Sequence, residues 1–290
     1  MFFDEEMLLD LRLNILDQYV DKFVITESKY MHSGRTKKLI FDINKYKNFK
    51  DKIIYNVVSE EPSNIESFSK NDSKKTSEVK FINNSNKREH YQREIAQKSL
   101  EGVDDEDLIL VNDIDEIPNL KNINFNEITN KLIFFKQKMF FYKFNLLYET
   151  KPWCGSRACK KKYFLSPQWL RDVREKKYPL WRFDILFSKT KYRDILYIED
   201  GGWHFTNIKS PSDIEKKLLN YTHHYEYEQS GLTLSDLQKK ILERKIIYDH
   251  SVDQREFKWG SEKTLTKIKL TNMPDYLREN YKKYANWLEN

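Results

Sequence analysis

The chain has 290 residues, of which 14% are aromatic and only seven are glycine and seven proline, and this composition excludes a collagenous or generally disordered protein. Its 51 basic and 45 acidic residues are interleaved along the sequence, so the net charge of +6 provides no basic stripe of the kind that binds a nucleic-acid duplex. Cys154 and Cys159 lack the spacing and neighbours of a zinc site, and no apolar stretch reaches the roughly 20 residues of a membrane span.

The first elements in chain order are a helix, two strands and a long polar segment. Residues 5–20 place apolar side chains at helical spacing, and the runs at 23–26 and 52–58 predict strands, with a helical turn at 42–50. Residues 59–90 are rich in Ser, Asn, Lys and Glu, which predicts a long mobile loop. The opening letters "MFF" are typical of a strand end, so we expect the natural start to lie a few residues upstream.

A further helix at 91–103 and a strand at 107–111 continue this alternation, which predicts a mostly parallel sheet. Strand-like runs follow at 131–149, 179–189 and 195–200, and helical patterns return at 211–228, 233–248 and 274–289. We therefore expect one α/β domain over residues 1–290. It would have a mixed, mostly parallel central sheet flanked by helices, and a helical C-terminal region from about 211.

A group of carboxylates follows the apolar strand at 107–111. Asp113 and Asp115 are two positions apart, so in an extended chain both side chains point to one face. Close carboxylates repel each other unless a cation lies between them. Ligands of open α/β sheets bind beyond the carboxyl ends of such strands, and carboxylate ligands suit Mg²⁺ or Mn²⁺ bound to a nucleotide. The alternative is a solvated acidic turn before Pro118 that binds nothing.

Seven stretches of the chain carry a resemblance to a known family. They are, in chain order, "EEMLLDLRLNILDQYVDKFVITES", "HSGRTKKLIF", "YQREIAQKSL", "LILVNDIDEIPN", "SPQWLRDVR", "GGWHF" and "KLLNYTHHYEY". Together they resemble glycosyltransferase family 17, which contains the β-1,4-mannosyl-glycoprotein 4-β-N-acetylglucosaminyltransferases, over nearly the whole chain. The resemblance implies a GT-A-like (Rossmann-like) fold. It also implies a UDP-sugar donor such as UDP-N-acetylglucosamine, a divalent metal, and transfer with inversion at the anomeric carbon.

By this resemblance the acidic strand end becomes part of an active site. Asp113 and Asp115 are the D-x-D pair that holds the metal against the donor diphosphate, where the metal stabilises the departing nucleoside diphosphate. His204 is a candidate third ligand, because neutral imidazole commonly binds divalent ions. An inverting transfer also needs a general base, for which Asp200 is the first candidate and Glu116 the second.

Four further residues are candidates for contacts to the donor. Glu27 and Ser28 end the first predicted strand, where nucleotide-sugar enzymes commonly contact the base or the ribose. Arg93 offers bidentate binding to phosphate, and Trp203 offers an aromatic ring beside a Gly pair, on which a sugar can stack. For each of them an ordinary structural role is the alternative.

The predicted partners are a nucleotide-sugar donor and a glycan or glycoconjugate acceptor, with no nucleic acid. The loop that contains Trp153, Gly155 and Arg157 resembles a Trp-x-Gly element that lines the acceptor site. The expected location is cytoplasmic or membrane-peripheral, and the oligomeric state is left open. Two other functions fit the acidic strand end: a metal-dependent phosphoryl-transfer or phosphodiester-cleaving enzyme, and a non-catalytic carbohydrate-binding protein.

Overall fold

The computed structural model describes residues 1–221, 224–249, 259 and 261–289. The helices are α1 (Glu6–Leu16), α2 (Lys74–Ile95), α3 (Pro167–Asp172), α4 (Pro211–Leu218), α5 (His224–Ser230), α6 (Leu234–Leu242) and α7 (Asp275–Glu279). The strands are β1 (Phe23–Ser28), β2 (Ile53–Val58), β3 (Leu108–Val111), β4 (Glu116–Pro118), β5 (Leu132–Phe135), β6 (Gln137–Phe141), β7 (Leu146–Trp153), β8 (Arg157–Lys160), β9 (Ile195–Ile198), β10 (Gly202–Thr206) and β11 (Thr266–Lys267). Within the described ranges, no helix combines the length and the apolar character needed to cross a lipid bilayer.

The strands form three sheets. β1 and β2 form a two-stranded sheet, a five-stranded sheet has the order β11-β7-β6-β10-β4, and a four-stranded sheet has the order β3-β8-β5-β9. Among these strands the parallel pairs are β1/β2, β6/β10 and β5/β9, and the other pairs are antiparallel. The protein is a mixed α/β structure, and the expectation of one mostly parallel central sheet is wrong.

A short connection explains the antiparallel pair β6/β7, and another joins β7 to β8, which lie in different sheets. Only residues 142–145 separate β6 from β7, and only residues 154–156 separate β7 from β8. Parallel neighbours need a crossover of a dozen or more residues, so these strands pair in opposite directions or not at all. The parallel pairs arise where the chain returns after a long excursion, when β9 and β10 lie beside β5 and β6.

About half of the segment predicted as a mobile loop, residues 59–90, is helical. α2 begins at Lys74, where the side chain of Ser73 caps the helix by accepting a hydrogen bond from the N–H of Thr76 (3.1 Å). The buried side chains of α2 are polar: Asn84, Ser85, Gln92 and Arg93. The helix therefore lacks the apolar periodicity by which an amphipathic helix is found in a sequence.

Two predicted strands also differ from the structure. Residues 179–189 do not form a strand, and instead contain a 3₁₀ turn at Phe183–Phe187 whose apolar side chains are largely exposed. β3, expected as a strand covered on both faces, is partly exposed and lies at the edge of the four-stranded sheet. A run of apolar residues alone does not distinguish these cases.

One apolar core fixes β4 beside β10. The core contains leucines of α1 (Leu8, Leu9, Leu11, Leu13 and Leu16), and it continues through Ile117 of β4, Phe140 of β6 and Phe205 of β10. Burying such a side chain contributes about 1.5–3 kcal/mol. Since β4 and β10 are held in this core, the turn that precedes β4 is held as well.

Candidate functional site

Residues 112–116, here called the acidic turn, connect β3 to β4, and Glu116 is also the first residue of β4. The N–H of Glu116 donates to the carbonyl of Asp113 (3.1 Å), and the N–H of Asp113 donates to Glu116 Oε2 (2.9 Å). Arg12 of α1 donates to the carbonyls of Asp113 (3.1 Å) and Glu116 (2.7 Å), so the turn is also tied to the core helix. The chain is not extended here. The expectation that Asp113 and Asp115 point to one face of an extended strand therefore does not hold.

Arg171, near the end of α3, is shared by two carboxylates. Its guanidinium donates to both oxygens of Glu116 (2.7 and 3.0 Å) and to Asp113 Oδ2 (3.0 Å). The Glu116 side chain is 1% exposed. Burial alone would lower the pKa of Arg171, but the charges of Glu116 and Asp113 raise it above the usual value, so this guanidinium stays charged.

Trp153 and Gly155 complete the surroundings of Glu116. The indole N–H of Trp153 donates to Glu116 Oε1 (2.6 Å). A Cβ atom on Gly155 would lie 1.8 Å from the same oxygen, so only glycine fits at this position. Glu116 thus accepts hydrogen bonds from Trp153, Arg171 and the backbone of Asp113, and it serves as a buried structural anion.

Asp113 faces two arginines. Arg93 of α2 lies 3.4 Å from Asp113 Oδ1, and it also pairs with Glu89 at 2.8 Å. Burial would raise the pKa of Asp113, but Arg171 and Arg93 together hold it well below its usual range. Asp113 is therefore an anion at any physiological pH, with its charge balanced by protein cations.

Asp115 has a different set of partners. Its Oδ1 lies 3.7 Å from His204 Nε2, and its Oδ2 lies 3.6 Å from Lys217 Nζ of α4. Both distances are longer than a hydrogen bond. Burial would raise the pKa of Asp115, but Lys217 and His204 lower it below its usual range. The carboxylate is ionised and only loosely held, which leaves its oxygens able to accept another partner.

His204 is placed by β10. Its ring stacks on Trp153 with centroids 5.3 Å apart, and its Nε2 lies 3.3 Å from the hydroxyl of Thr206. Its Nδ1 is buried and has no hydrogen-bond partner among the residues that the structure describes. A histidine that binds a metal usually donates its second ring N–H to an acceptor, so His204 fits a ligand role less well than Asp115.

The residues present fit a divalent cation that also binds a substrate. No group of three His, Cys, Asp or Glu side chains in the described part of the chain is arranged to hold a metal by itself. Mg²⁺, however, is commonly bound by one or two carboxylates together with substrate phosphates and water. Asp115 fits that pattern. Asp113 fits it only by exchanging one of its arginine contacts.

A cavity of about 150 Å³ opens beside the turn. The charged and polar side chains that line it include Asp113, Asp115, Glu5, Glu89, Lys37, Lys217, His32 and Tyr221. A larger groove of about 550 Å³, between α1, β1 and β3, shares Met1, Asp113 and Ile114 with this cavity. Small-ligand sites usually measure about 300–1,000 Å³, so the cavity alone suits a fragment such as a diphosphate with its cation.

His32 contributes an imidazole to the cavity wall. It belongs to the loop after β1, and its backbone carbonyl accepts a hydrogen bond from Arg88 (3.2 Å). Burial lowers the pKa of His32, while the nearby charge of Glu89 opposes the shift. The imidazole is consequently neutral near pH 7, the state in which it accepts a proton.

Glu27 and Ser28 lie at the end of β1, as predicted, but Glu27 is bound to the protein itself. Its side chain is fully buried and accepts hydrogen bonds from Tyr55 (2.8 Å) and from the backbone N–H groups of Ile40 (2.9 Å) and Phe41 (3.1 Å), and it pairs with Lys37. Ser28 accepts from the N–H of Tyr30 (3.0 Å). These contacts stabilise the loop that carries His32.

The structure does not bring Asp200 and Trp203 to the acidic turn. Asp200 is 79% exposed, lies 3.6 Å from Lys138, and sits at the opposite end of β10 from the strand's contact with Asp115. Trp203 points to the other face of β10 from His204, and its indole donates to the carbonyl of Asn272 (3.1 Å). Neither residue lines the cavity.

The loop expected near an acceptor instead supports the turn. Trp153 and Gly155 contact Glu116, while Arg157 donates to the carbonyls of Leu170 (2.9 Å) and Val173 (2.7 Å) at the end of α3. The arrangement holds α3, and thus Arg171, against the acidic turn.

Reasoning from single residues missed Arg171, Lys217 and His32. Each falls within or next to a stretch that resembles the family: "SPQWLRDVR", "KLLNYTHHYEY" and "HSGRTKKLIF". Nothing in the local sequence distinguishes these residues from ordinary surface arginines, lysines and loop histidines. Their proximity to Asp113 and Asp115 arises only from packing of α3, α4 and the β1 loop.

In a comparison with protein-family models, residues 1–289 match the model described as Glycosyltransferase family 17. Comparison with curated proteins and with solved structures gives no match. The family match covers essentially the whole chain, so it includes every residue of the acidic turn and of the cavity.

Proposed function

The chain belongs to glycosyltransferase family 17, and from this membership we propose that it transfers a sugar from a UDP-sugar bound beside the Asp113–Glu116 turn to a glycan acceptor. That it is a glycosyltransferase follows from the family, which replaces the phosphoryl-transfer and non-catalytic alternatives. The donor, the metal, the inverting course and a GT-A-like fold belong to the proposal. UDP-N-acetylglucosamine is the proposed donor, as the resemblance implies.

One observation carries the proposal: Asp113, Asp115 and Lys217 line the same cavity. A diphosphate needs positive charge around its oxygens. The cavity offers Lys217, with a cation at Asp115 as the second source, while the charge of Lys37 is paired with Glu27. Bound there, Mg²⁺ or Mn²⁺ would act as a Lewis acid that stabilises charge on the leaving diphosphate. His204 remains a candidate ligand beside Asp115.

The protein side chains have separate tasks in this proposal. Arg171 keeps Glu116 and Asp113 in place, and Lys217 balances the charge of Asp115 and contacts the diphosphate. His32 is the proposed general base that removes the proton from the acceptor hydroxyl, because it is a neutral imidazole on the cavity wall. It replaces Asp200, which lies elsewhere, and Glu116, whose oxygens are occupied.

A donor screen tests the proposal. The protein is incubated with Mn²⁺ and single nucleotide sugars, and released nucleoside diphosphate is measured by mass spectrometry. We expect release from a UDP-sugar, a loss of about 100-fold or more in Asp115→Asn, and unchanged release in Asp200→Asn, its matched control. Release that depends on Asp200 and not on Asp115 would place the reaction at the β9–β10 turn and overturn the proposed site.

A further inference from the structure

Residues 179–187, here called the apolar loop, expose large side chains to an unusual degree. Leu180 is 82% exposed, Trp181 70%, Phe183 71%, Leu186 72% and Phe187 89%. Single exposed apolar residues are ordinary on a protein surface, but five within one short loop indicate an interaction site.

The apolar loop is held in place by specific contacts. The guanidinium of Arg193 donates to the carbonyls of Pro179 (3.0 Å), Leu180 (2.7 Å) and Arg182 (2.9 Å). Ile185 points inward and is 8% exposed. The structure therefore presents the apolar side chains outward on a fixed base.

A second set of bonds fixes the chain that follows the loop. Asp184 pairs with Arg182 (2.6 Å) and Lys191 (2.6 Å). The indole N–H of Trp169 in α3 donates to the carbonyl of Lys189 (2.6 Å). The chain that follows the loop is thus tied to α3, the helix that carries Arg171 of the acidic turn.

Positive charge surrounds the apolar loop. Residues 174–193 contain seven basic residues, Arg174, Lys176, Lys177, Arg182, Lys189, Lys191 and Arg193, against the two acids Glu175 and Asp184. Arg174, Lys176, Lys177 and Lys189 are exposed. Aromatic and aliphatic side chains flanked by lysine and arginine are the combination that binds the interface of an anionic bilayer.

We propose that the apolar loop inserts its five exposed side chains into the interfacial region of an anionic lipid bilayer, while the flanking basic residues contact lipid headgroups. A bilayer accepts a projecting apolar tip without a complementary pocket, whereas a protein partner needs a shaped surface. Since lipid binding does not involve the cavity, the inference does not depend on the proposed sugar transfer.

Vesicle co-sedimentation tests this inference. The full chain is mixed with vesicles of phosphatidylcholine alone, or with about one third phosphatidylglycerol added, and the bound fraction is measured at low and high salt. We expect binding to the anionic vesicles that weakens with salt. The affinity of the variant Trp181→Ser/Phe183→Ser/Phe187→Ser for the anionic vesicles should be lower by about tenfold or more. Its thermal unfolding should match the unchanged protein, since these side chains are exposed.

Leu242→Ser is the matched control, because Leu242 is also 84% exposed but lies at the end of α6. It should bind vesicles as the unchanged protein does. Equal binding by the triple variant, or no binding of the unchanged protein to either vesicle, would overturn the inference. So would self-association, seen by light scattering, that disappears in the triple variant while vesicle binding is absent; the apolar loop would then be an interface between copies of this chain.

Discussion

At the scale of single residues, Arg171 determines whether the acidic turn can exist. Glu116 is an anion in the interior, and an unpaired buried charge is strongly unfavourable. Arg171 is its cationic partner and at the same time orients Asp113. The sequence left two explanations for the crowding of Asp113, Asp115 and Glu116, a bound metal or a solvated turn. In the structure, arginine and lysine side chains pair with these carboxylates.

Arg171→Met should therefore destabilise the protein by about 3–5 kcal/mol, since it leaves the buried Glu116 carboxylate without its cation. The free energy of unfolding in urea measures this. The double variant Arg171→Met/Glu116→Gln should regain part of the loss, because the unpaired charge is removed. The control Arg278→Met removes an exposed pair with Asp275 and should leave stability unchanged. Equal effects of both methionine substitutions would contradict a structural role for the Arg171 network.

The lowered pKa of Asp113 predicts how stability depends on pH. A carboxyl group whose pKa is lower in the folded protein stabilises it above the unfolded pKa of about 3.9, and this contribution is lost as pH falls further. The free energy of unfolding should thus begin to drop below about pH 5 and keep dropping below pH 3, because the folded pKa is far lower than the unfolded one. Asp113→Asn should show a smaller drop over this range, and the exposed control Asp21→Asn the same drop as the unchanged protein. If the free energy of unfolding of Asp113→Asn fell with pH as steeply as that of the unchanged protein, the ion pairs of Asp113 with Arg93 and Arg171 would not stabilise the fold.

His32 should act in its neutral form. Because its pKa is lowered, kcat/KM is expected to stay high at neutral pH and to fall only below about pH 6.5. His32→Gln should lower kcat by about 100-fold or more and abolish that acidic limb. A His32→Gln enzyme with the original pH profile would show that another group takes the proton. The readout is the pH dependence of UDP release in the presence of acceptor.

At the scale of elements, the sequence predicts those with apolar periodicity and misses those held by polar contacts. α1, β1, β2, β9 and the strand before Asp113 lie where the pattern of apolar residues places them. The part of α2 before residue 91 does not show such a pattern. It is held by polar contacts, such as those of Lys87 and Asn83 with Glu66 (2.7 and 3.2 Å), and by the stacking of Phe81 on Tyr225.

The connection between β7 and β8 depends on Gly155. Gly155→Ala would place its Cβ against the Glu116 carboxylate, which is fixed by Arg171 and Trp153, so we expect a loss of about 2 kcal/mol or more. Gly102→Ala is the control: its φ of +77° makes alanine strained there, but nothing lies within 4 Å, so it should cost only about 1 kcal/mol. Both values come from urea unfolding. A Gly155→Ala cost no larger than that of Gly102→Ala would contradict the close approach to Glu116.

At the scale of the whole molecule, the sequence locates the acidic turn but not the residues that surround it. Asp113 and Asp115 follow a strand, so the geometry of sheets predicts a site there. Arg171 lies 58 residues from Asp113 along the chain, and its side chain meets that carboxylate only because α3 packs beside the turn. Asp200 lies away from Asp115 for a similar reason, since the direction of β10 puts it at the far end of the strand.

The order and direction of the strands in the sheets could not be predicted from the pattern of apolar residues either. Alternating helices and strands in the first half of the chain favour parallel pairing, but β6 and β7 form an antiparallel hairpin and β8 pairs antiparallel with β3 and β5. Cavity and apolar loop are both tied to α3. In this helix, Arg171 donates a hydrogen bond to Asp113 of the acidic turn, and Trp169 donates one to the carbonyl of Lys189, which follows the apolar loop.

The central claim is that the cavity beside Asp113 and Asp115 binds the diphosphate of a UDP-sugar. Isothermal titration calorimetry with UDP, with and without Mn²⁺, tests it most directly, with Asp115→Asn and Asp200→Asn compared in parallel. We predict that the unchanged protein and Asp200→Asn bind UDP about tenfold or more tightly with Mn²⁺, and that Asp115→Asn loses this gain. Absence of UDP binding by the folded protein under both conditions would contradict the claim.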